Sequence, residues 1–222
     1  MSVTAAAGFA ANGIHCGIKP SGAHDLSVVF VDTSVPTAAV FTTSLTAAPP
    51  VQLSRSRVAA GTSRAIIVNS GSANAGTGAA GYRDAEEMSS ALAKSLGCMT
   101  QEILVCSTGP IGGRLPITDI AKAIPDLVGT AGSSAEHGTL AARGIMTTDS
   151  VPKESVVRRH GATVGGMAKG AGMIRPDMAT MLAFITTDAL VPAAGAHHTG
   201  LLGDMLMRAT ARTFNALNID GC

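Results

Sequence analysis

The chain has 222 residues, 46% of them hydrophobic and 14% charged, a balance that excludes disorder and gives enough length for one large domain or two small ones. A net charge of +1, no Trp and a single Tyr leave neither a basic stripe nor a stacking platform, so nucleic acid is not an expected partner. Cys16, Cys98, Cys106 and Cys222 form no CxxC pair, and Asp188 interrupts the best apolar run; no disulfide scaffold, zinc site, secretory signal or membrane span is expected, and a soluble cytoplasmic protein is.

In chain order, Leu26–Asp32 and Ala38–Thr43 are β-branched runs separated by Thr-Ser-Val-Pro, and they predict neighbouring strands joined by a turn. Pro49-Pro50 punctuates the chain. Ala65–Asn69 is an apolar run that ends in NSGSANAGTG, a buried strand delivering its C-terminal end to a glycine-rich loop. That loop matches neither GxxxxGK[ST] nor GxGxxG, so phosphate binding is not supported.

Ala85, Met88, Leu92 and Leu96 fall on one face of a helix over 82–96, with Glu86 and Glu87 near its start, Lys94 near its end and Gly97 as the cap. Ile103–Cys106 predicts another buried strand, running into Ser107–Gly113. Short helices are expected over 117–124 and 134–144, and a hairpin around His160-Gly161 within 156–164. Met181–Thr187 reads as a strand and His198–Phe214 as a helix. Strands interleaved with helices predict an α/β fold with an extended central sheet. The chain stops at Asn218–Cys222 with no capping feature, which reads as an interrupted sequence rather than a finished one.

Three segments have the residue types that chemistry needs. In KGAGMIRPDMATMLAFITTD, Thr180 opens an apolar run after small and turn-forming residues. A loop entering a strand accounts for that pattern. A hydroxyl is a poor nucleophile without a base, but a chain cut just before a threonine frees an α-amine with a pKa of about 7.7–8.0 that can serve as one. In CSTGPIGGRLP, the Thr108-Gly109 pair at a strand end could present a hydroxyl and a backbone N–H to an oxyanion; an ordinary glycine turn fits equally. In IMTTDSVPK, Thr147, Thr148, Asp149 and Lys153 could hydrogen-bond a small polar substrate, or form an exposed loop with cap chemistry. The six histidines show no metal-ligand spacing, and Cys106 reads as a small buried hydrophobe rather than a nucleophile.

Together these segments resemble the ornithine acetyltransferase family, also called the bifunctional glutamate N-acetyltransferase and amino-acid acetyltransferase. The match runs from GIHCGIKPSGAHDLSVVF through NSGSANAGTG, STGPIGGRLP, IMTTDSVPK and GGMAKGAGMIRPDMATMLAFITTDA to TFNALNIDG, in family order. DMATML with its upstream lysine is the most specific part. The sequence departs from the pattern at Gly76, where NACTG is expected, and at Arg175 and Asp177 beside the cleavage region; neither departure removes a catalytic group.

The resemblance implies a DmpA-like layered α/β sandwich, similar in layout to N-terminal nucleophile hydrolases. It implies self-cleavage between Ala179 and Thr180, so that residues 1–179 form an α chain and residues 180–222 begin a β chain, in an α2β2 heterotetramer. Thr180 is then the nucleophile, Thr108 and Gly109 the oxyanion hole, and Thr147, Lys169 and Thr180 the substrate contacts. The reaction implied is acetyl transfer from N-acetylornithine to glutamate in arginine biosynthesis, with no bound cofactor or metal and with acetyl-CoA as an optional co-substrate. Family members continue past IDG with residues that complete the substrate pocket. Two alternatives stay open: a related self-processing aminopeptidase or amidase, and an inactive truncated chain or assembly subunit.

Overall fold

The computed structural model describes residues 2–172, 174, 181–191 and 197–219, the backbone alone being described for 197–199. Strand β1 (Ala10–Ile14), strand β2 (Leu26–Pro36), strand β3 (Thr62–Ser70) and strand β4 (Ile103–Thr108) form one sheet in the order β1-β2-β3-β4. The first two pairings are antiparallel and β3 runs parallel to β4. Strands β5 (Lys153–Arg159), β6 (Ala162–Lys169) and β7 (Leu182–Thr187) form a second, antiparallel sheet. The fold is an α/β sandwich, but the single extended sheet expected from the sequence is two sheets.

Side-chain alternation divides the first sheet. Leu26 and Val28 of β2, Ala65 and Ile67 of β3, and Ile103 and Val105 of β4 point to one face. There they meet helix α2 (Gly78–Leu96) through Met88 and Leu92, and helix α3 (Ile117–Gly129) through Ile120, Ile124 and Leu127. The opposite face presents Val29 and Val68 to Ala141 and Ala142 of helix α4 (Ala135–Gly144), and to Met167 and Phe184 of the second sheet.

Helix α1 (Pro49–Val58) covers the outer edge of β4. The Ser54 hydroxyl accepts from the Val105 N–H at 2.8 Å and donates to the Val105 carbonyl at 2.7 Å. Arg57 donates to the Ile103 carbonyl at 2.8 Å. Side chains thus satisfy edge groups that would otherwise invite another strand.

Several local expectations need correction. Residues 38–43 form no strand, because β1 and β3 already occupy both edges of β2 and no free edge remains for a run that follows it. Pro49-Pro50 starts α1 instead of merely breaking the chain; proline suits the first helical turn, where its missing N–H costs nothing. Helix α2 begins at Gly78, which moves Glu86 and Glu87 out of its first turn. Helix α3 continues through Pro125 to Gly129, because burial of Leu127 with Ile120 and Ile124 outweighs the lost backbone hydrogen bond. The hairpin holds as expected, with His160 and Gly161 at φ 51° and 78° between β5 and β6. Helix α5 (His197–Arg212) also lies where the sequence places it.

Candidate active site

The parallel pairing of β3 with β4 delivers Asn69 and Ser70 beside Ser107 and Thr108. Beyond the strands the two following loops grip each other. The Gly71 N–H donates to the Thr108 carbonyl at 2.8 Å, the Ala73 N–H to Pro110 at 3.0 Å and the Gly112 N–H to Ala75 at 2.8 Å. Ser107 donates its hydroxyl proton to Asn69 Oδ1 at 2.6 Å, and Asn69 Nδ2 returns to the Ser72 carbonyl at 2.9 Å. NSGSANAGTG is therefore the wall that shapes the Thr108-Gly109 turn. Gly109 sits at φ 141°, and a Cβ there would come within 2.5 Å of the Ser72 nitrogen; both the conformation and the space require glycine. Arg114 anchors the far end of the turn through two 2.7 Å bonds to Asp84 of α2.

Lys169, the last residue of β6, reaches this turn from the second sheet. Its Nζ donates to Thr108 Oγ1 at 3.2 Å across 61 residues of sequence, and the residue is only 7% exposed. Burial pulls its pKa below the ordinary lysine value, the nearby Asp149 carboxylate opposes that, and Lys153 adds to it. Gly170 follows at φ 138°. A Cβ on it would meet Met181 Cβ and Ile174 Cδ1 at 3.4 Å, so the turn after Lys169 lies against the residue that follows position 180.

A third segment closes the corner. Asp25 stands immediately before β2 and gathers its own loop, accepting from the N–H groups of Cys16 at 2.6 Å, Ile18 at 2.8 Å and Lys19 at 2.9 Å. Burial alone would raise the Asp25 pKa; those hydrogen bonds, led by Lys19 and Cys16, hold it below the usual carboxylate range. The loop aims Lys19 across the fold, where its ammonium donates to the carbonyls of His24 and Met146 at 2.7 Å each. Burial lowers the Lys19 pKa, with Asp25 and Asp149 opposing. Residue 147 is thus held from both sides, because its own N–H donates to Asp149 at 3.1 Å.

Lys19, Thr108, Gly109, Thr147, Lys169 and Met181 all line one cleft of about 2690 Å³ between the two sheets. The rest of its wall is largely apolar and includes Val29, Val31, Ile66, Leu104 and Phe184. The recess is larger than the roughly 300–1,000 Å³ of an ordinary small-molecule pocket, and the polar groups named above converge at one corner of it. The arrangement offers a hydroxyl and a turn N–H beside a buried cation, which suits stabilisation of a developing negative charge.

Of the residues expected at the site, Thr108, Gly109, Thr147 and Lys169 come together here. Ala179 and Thr180 lie outside the described residues. Burial pushes the Cys106 thiol up to about 12, consistent with a packing role. Sequence reasoning missed Lys19 and Asp25; it marked Asp149 as a candidate substrate contact, whereas the structure turns its carboxylate onto backbone N–H groups. The available signal is modest: GIHCGIKPSGAHD closes a glycine-containing loop with one carboxylate directly before a strand. Among the described residues no cluster of His, Cys, Asp and Glu could hold a metal ion, and no helix is long and apolar enough to cross a membrane.

The ArgJ family model matches residues 10–222. The arginine biosynthesis bifunctional protein ArgJ of Synechocystis is 46% identical over 99% of this chain and 52% of its own length. That of Mycobacterium leprae is 47% identical over 99% of this chain and 54% of its own. The chain therefore spans about half the length of the curated relatives it matches. Among solved structures, ornithine acetyltransferase of Mycobacterium tuberculosis, complexed with ornithine, superposes with a TM-score of 0.77 at 43% identity, covering 80% of this chain and 96% of that one. The bifunctional protein ArgJ of Bacillus halodurans gives 0.75 at 38% identity, covering 81% and 95%. With a family model spanning nearly all of its length, and relatives this similar across it, the chain belongs to the ArgJ family.

Proposed function

We propose that the cleft is the acyl-transfer site of a glutamate N-acetyltransferase of arginine biosynthesis, with Thr180 as nucleophile after cleavage of the Ala179–Thr180 bond. The observation that supports this most is the 3.2 Å bond from Lys169 Nζ to Thr108 Oγ1. It joins two of the three segments that the sequence marks for chemistry. A hydroxyl has one proton to give and lone pairs to receive. With Lys169 filling an acceptor position, the Thr108 proton is left to point at an oxyanion.

The chemistry then follows in balanced steps. The freed α-amine of Thr180 takes the proton from its own hydroxyl, and Oγ attacks the acetyl carbonyl carbon of N-acetylornithine. Thr108 and the Gly109 N–H receive the negative charge. The C–N bond breaks, the proton passes to the departing amine, and ornithine leaves an acetyl ester on Thr180. The amine of glutamate attacks that ester, yielding N-acetylglutamate and the free hydroxyl. The ornithine held by the Mycobacterium tuberculosis structure is the product of the first half of this exchange.

The test uses the protein expressed from its complete gene. Mass spectrometry should find two pieces meeting at Ala179/Thr180, and N-acetylornithine should give N-acetylglutamate only when glutamate is present. Thr180→Ala should abolish both cleavage and transfer. Normal cleavage in that variant refutes the nucleophile assignment; release of acetate without an acceptor transfers the reading to an amidase. Replacing N-acetylornithine with acetyl-CoA determines whether the second donor is used.

A further inference from the structure

Asp149 is an enclosed charge near the cleft, and no step of the proposed chemistry uses it. Its side chain has no accessible surface. Oδ2 accepts the Thr147 N–H at 3.1 Å. Oδ1 accepts the Gly170 N–H at 2.8 Å, 21 residues further along the chain, and also pairs with Lys153. A local turn needs only the first of these bonds. The second joins a loop to the end of a strand in the second sheet, and so brings Thr147 into register with Lys169, both of them expected substrate contacts.

We propose that Asp149 is a positioning residue of the acyl-transfer site: one carboxylate clasps residue 147 through Oδ2 and the Lys169-Gly170 turn through Oδ1, and so fixes where the Thr147 side chain and the Lys169 ammonium meet the substrate. This rests on the reading of the cleft given above. Two features explain why a carboxylate is used. Backbone N–H groups donating to a charged acceptor form stronger bonds than neutral pairs, so one side chain can hold two segments that no sheet pairing joins. Asp149 is also an anion facing the Lys19, Lys153 and Lys169 ammonium groups. It favours the charged form of Lys169 in a setting where burial works against the charge. The clasp extends to the start of the third strand of the second sheet, because Gly170 packs against Met181. Site groups need such support, since small displacements of a binding group cost affinity and rate.

The test compares Asp149→Asn with Lys153→Gln in the protein from its complete gene. Asparagine keeps the shape but loses the charge and one acceptor oxygen. Asp149→Asn should raise KM for both N-acetylornithine and glutamate about tenfold and lower kcat about tenfold, because displacing Lys169 loosens a substrate contact and also the Thr108 hydroxyl that faces the oxyanion. Lys153→Gln, which removes a half-exposed partner and leaves both backbone bonds, should change KM much less. A second readout needs no turnover: pH-dependent acylation of Lys169 by an amine-reactive ester, read by mass spectrometry. In Asp149→Asn that lysine should titrate at lower pH than in the parent. If Asp149→Asn does not fold, Asp149→Glu keeps the charge but lengthens the arm, and should raise KM without lowering the Lys169 titration. Unchanged KM and unchanged labelling in folded Asp149→Asn overturn the proposal, as does a loss of thermal stability with kinetics intact. A parent protein without acetyl transfer, but with the labelling shift present, refutes the assigned reaction and leaves the clasp standing.

Discussion

The first sheet has two faces, and they are built for different purposes. On the helix side Leu26, Ile67, Met88, Leu92, Ile103, Ile120 and Leu127 are all fully buried, and aliphatic residues fill the space with almost no polar groups. On the cleft side Val29, Ile66, Leu104 and Cys106 of the same strands border a recess whose polar corner is tied together by hydrogen bonds between distant segments. Both faces carry an apolar core, but only the second also borders the polar corner. Substitutions on the two faces should therefore fail in different assays.

The largest effect is expected on the cleft face. Thr108→Ala removes one oxyanion donor and should lower kcat by about 100- to 1000-fold with little change in Tm, in line with the loss of single donors at other such sites. Thr108→Ser keeps the hydroxyl and should recover most of the rate. Steady-state kinetics beside a thermal melt check both. An equal loss in the serine variant would mean that the methyl group, not the proton, matters, and would remove Thr108 from the oxyanion hole.

On the helix face the dependence reverses. Leu92→Ala leaves a cavity among fully buried side chains and should cost about 2–5 kcal/mol of stability. Its kcat, measured well below the melting transition, should stay at the parent value. Urea unfolding gives the first quantity, and a turnover assay on the same sample gives the second. A fall in kcat without a fall in stability would show that the helix layer shapes the cleft directly, and the division between the faces would be lost.

The two faces also differ in how far they can be read from sequence. Periodicity identifies α2, α3, α5 and the strands around Ile67, Val105 and Phe184, because burial on one side imposes a 3.6 or a 2.0 repeat. It fails where tertiary context decides. AAVFTT has strand composition, but both sides of β2, the strand it follows, are already paired, and AANGI forms β1 although it has little β-branched character. Pro125 reads as a stop until the burial of Leu127 is known. At the site, Thr108, Gly109, Thr147 and Lys169 are legible as types of residue in suggestive loops. Their convergence is not, since Lys169 meets Thr108 across 61 residues and Gly170 meets Asp149 across 21. Asp25 and Asp149 act on backbone N–H groups, which no side-chain pattern records.

The smallest effect falls at the seam between the faces. Asp25 holds Cys16 and Ile18, which pack on the helix side, and Lys19, which lines the cleft. Its folded pKa is depressed, so folding is favoured by the ionised form. That contribution is complete above the ordinary carboxyl value of about 3.9, shrinks as pH falls below it, and is gone once pH passes beneath the folded value. Asp25→Asn should thus cost about 1.5–3 kcal/mol at neutral pH, the range for hydrogen bonds to a charged group. The gap between parent and variant should close on acidification, because both then have a neutral side chain. Urea titrations of the two proteins, at neutral pH and well below the carboxyl range, measure the gap directly. A gap that persists unchanged in acid would mean that the Asp25 bonds hold by shape rather than by charge, and the seam would then resemble the helix face more than the cleft.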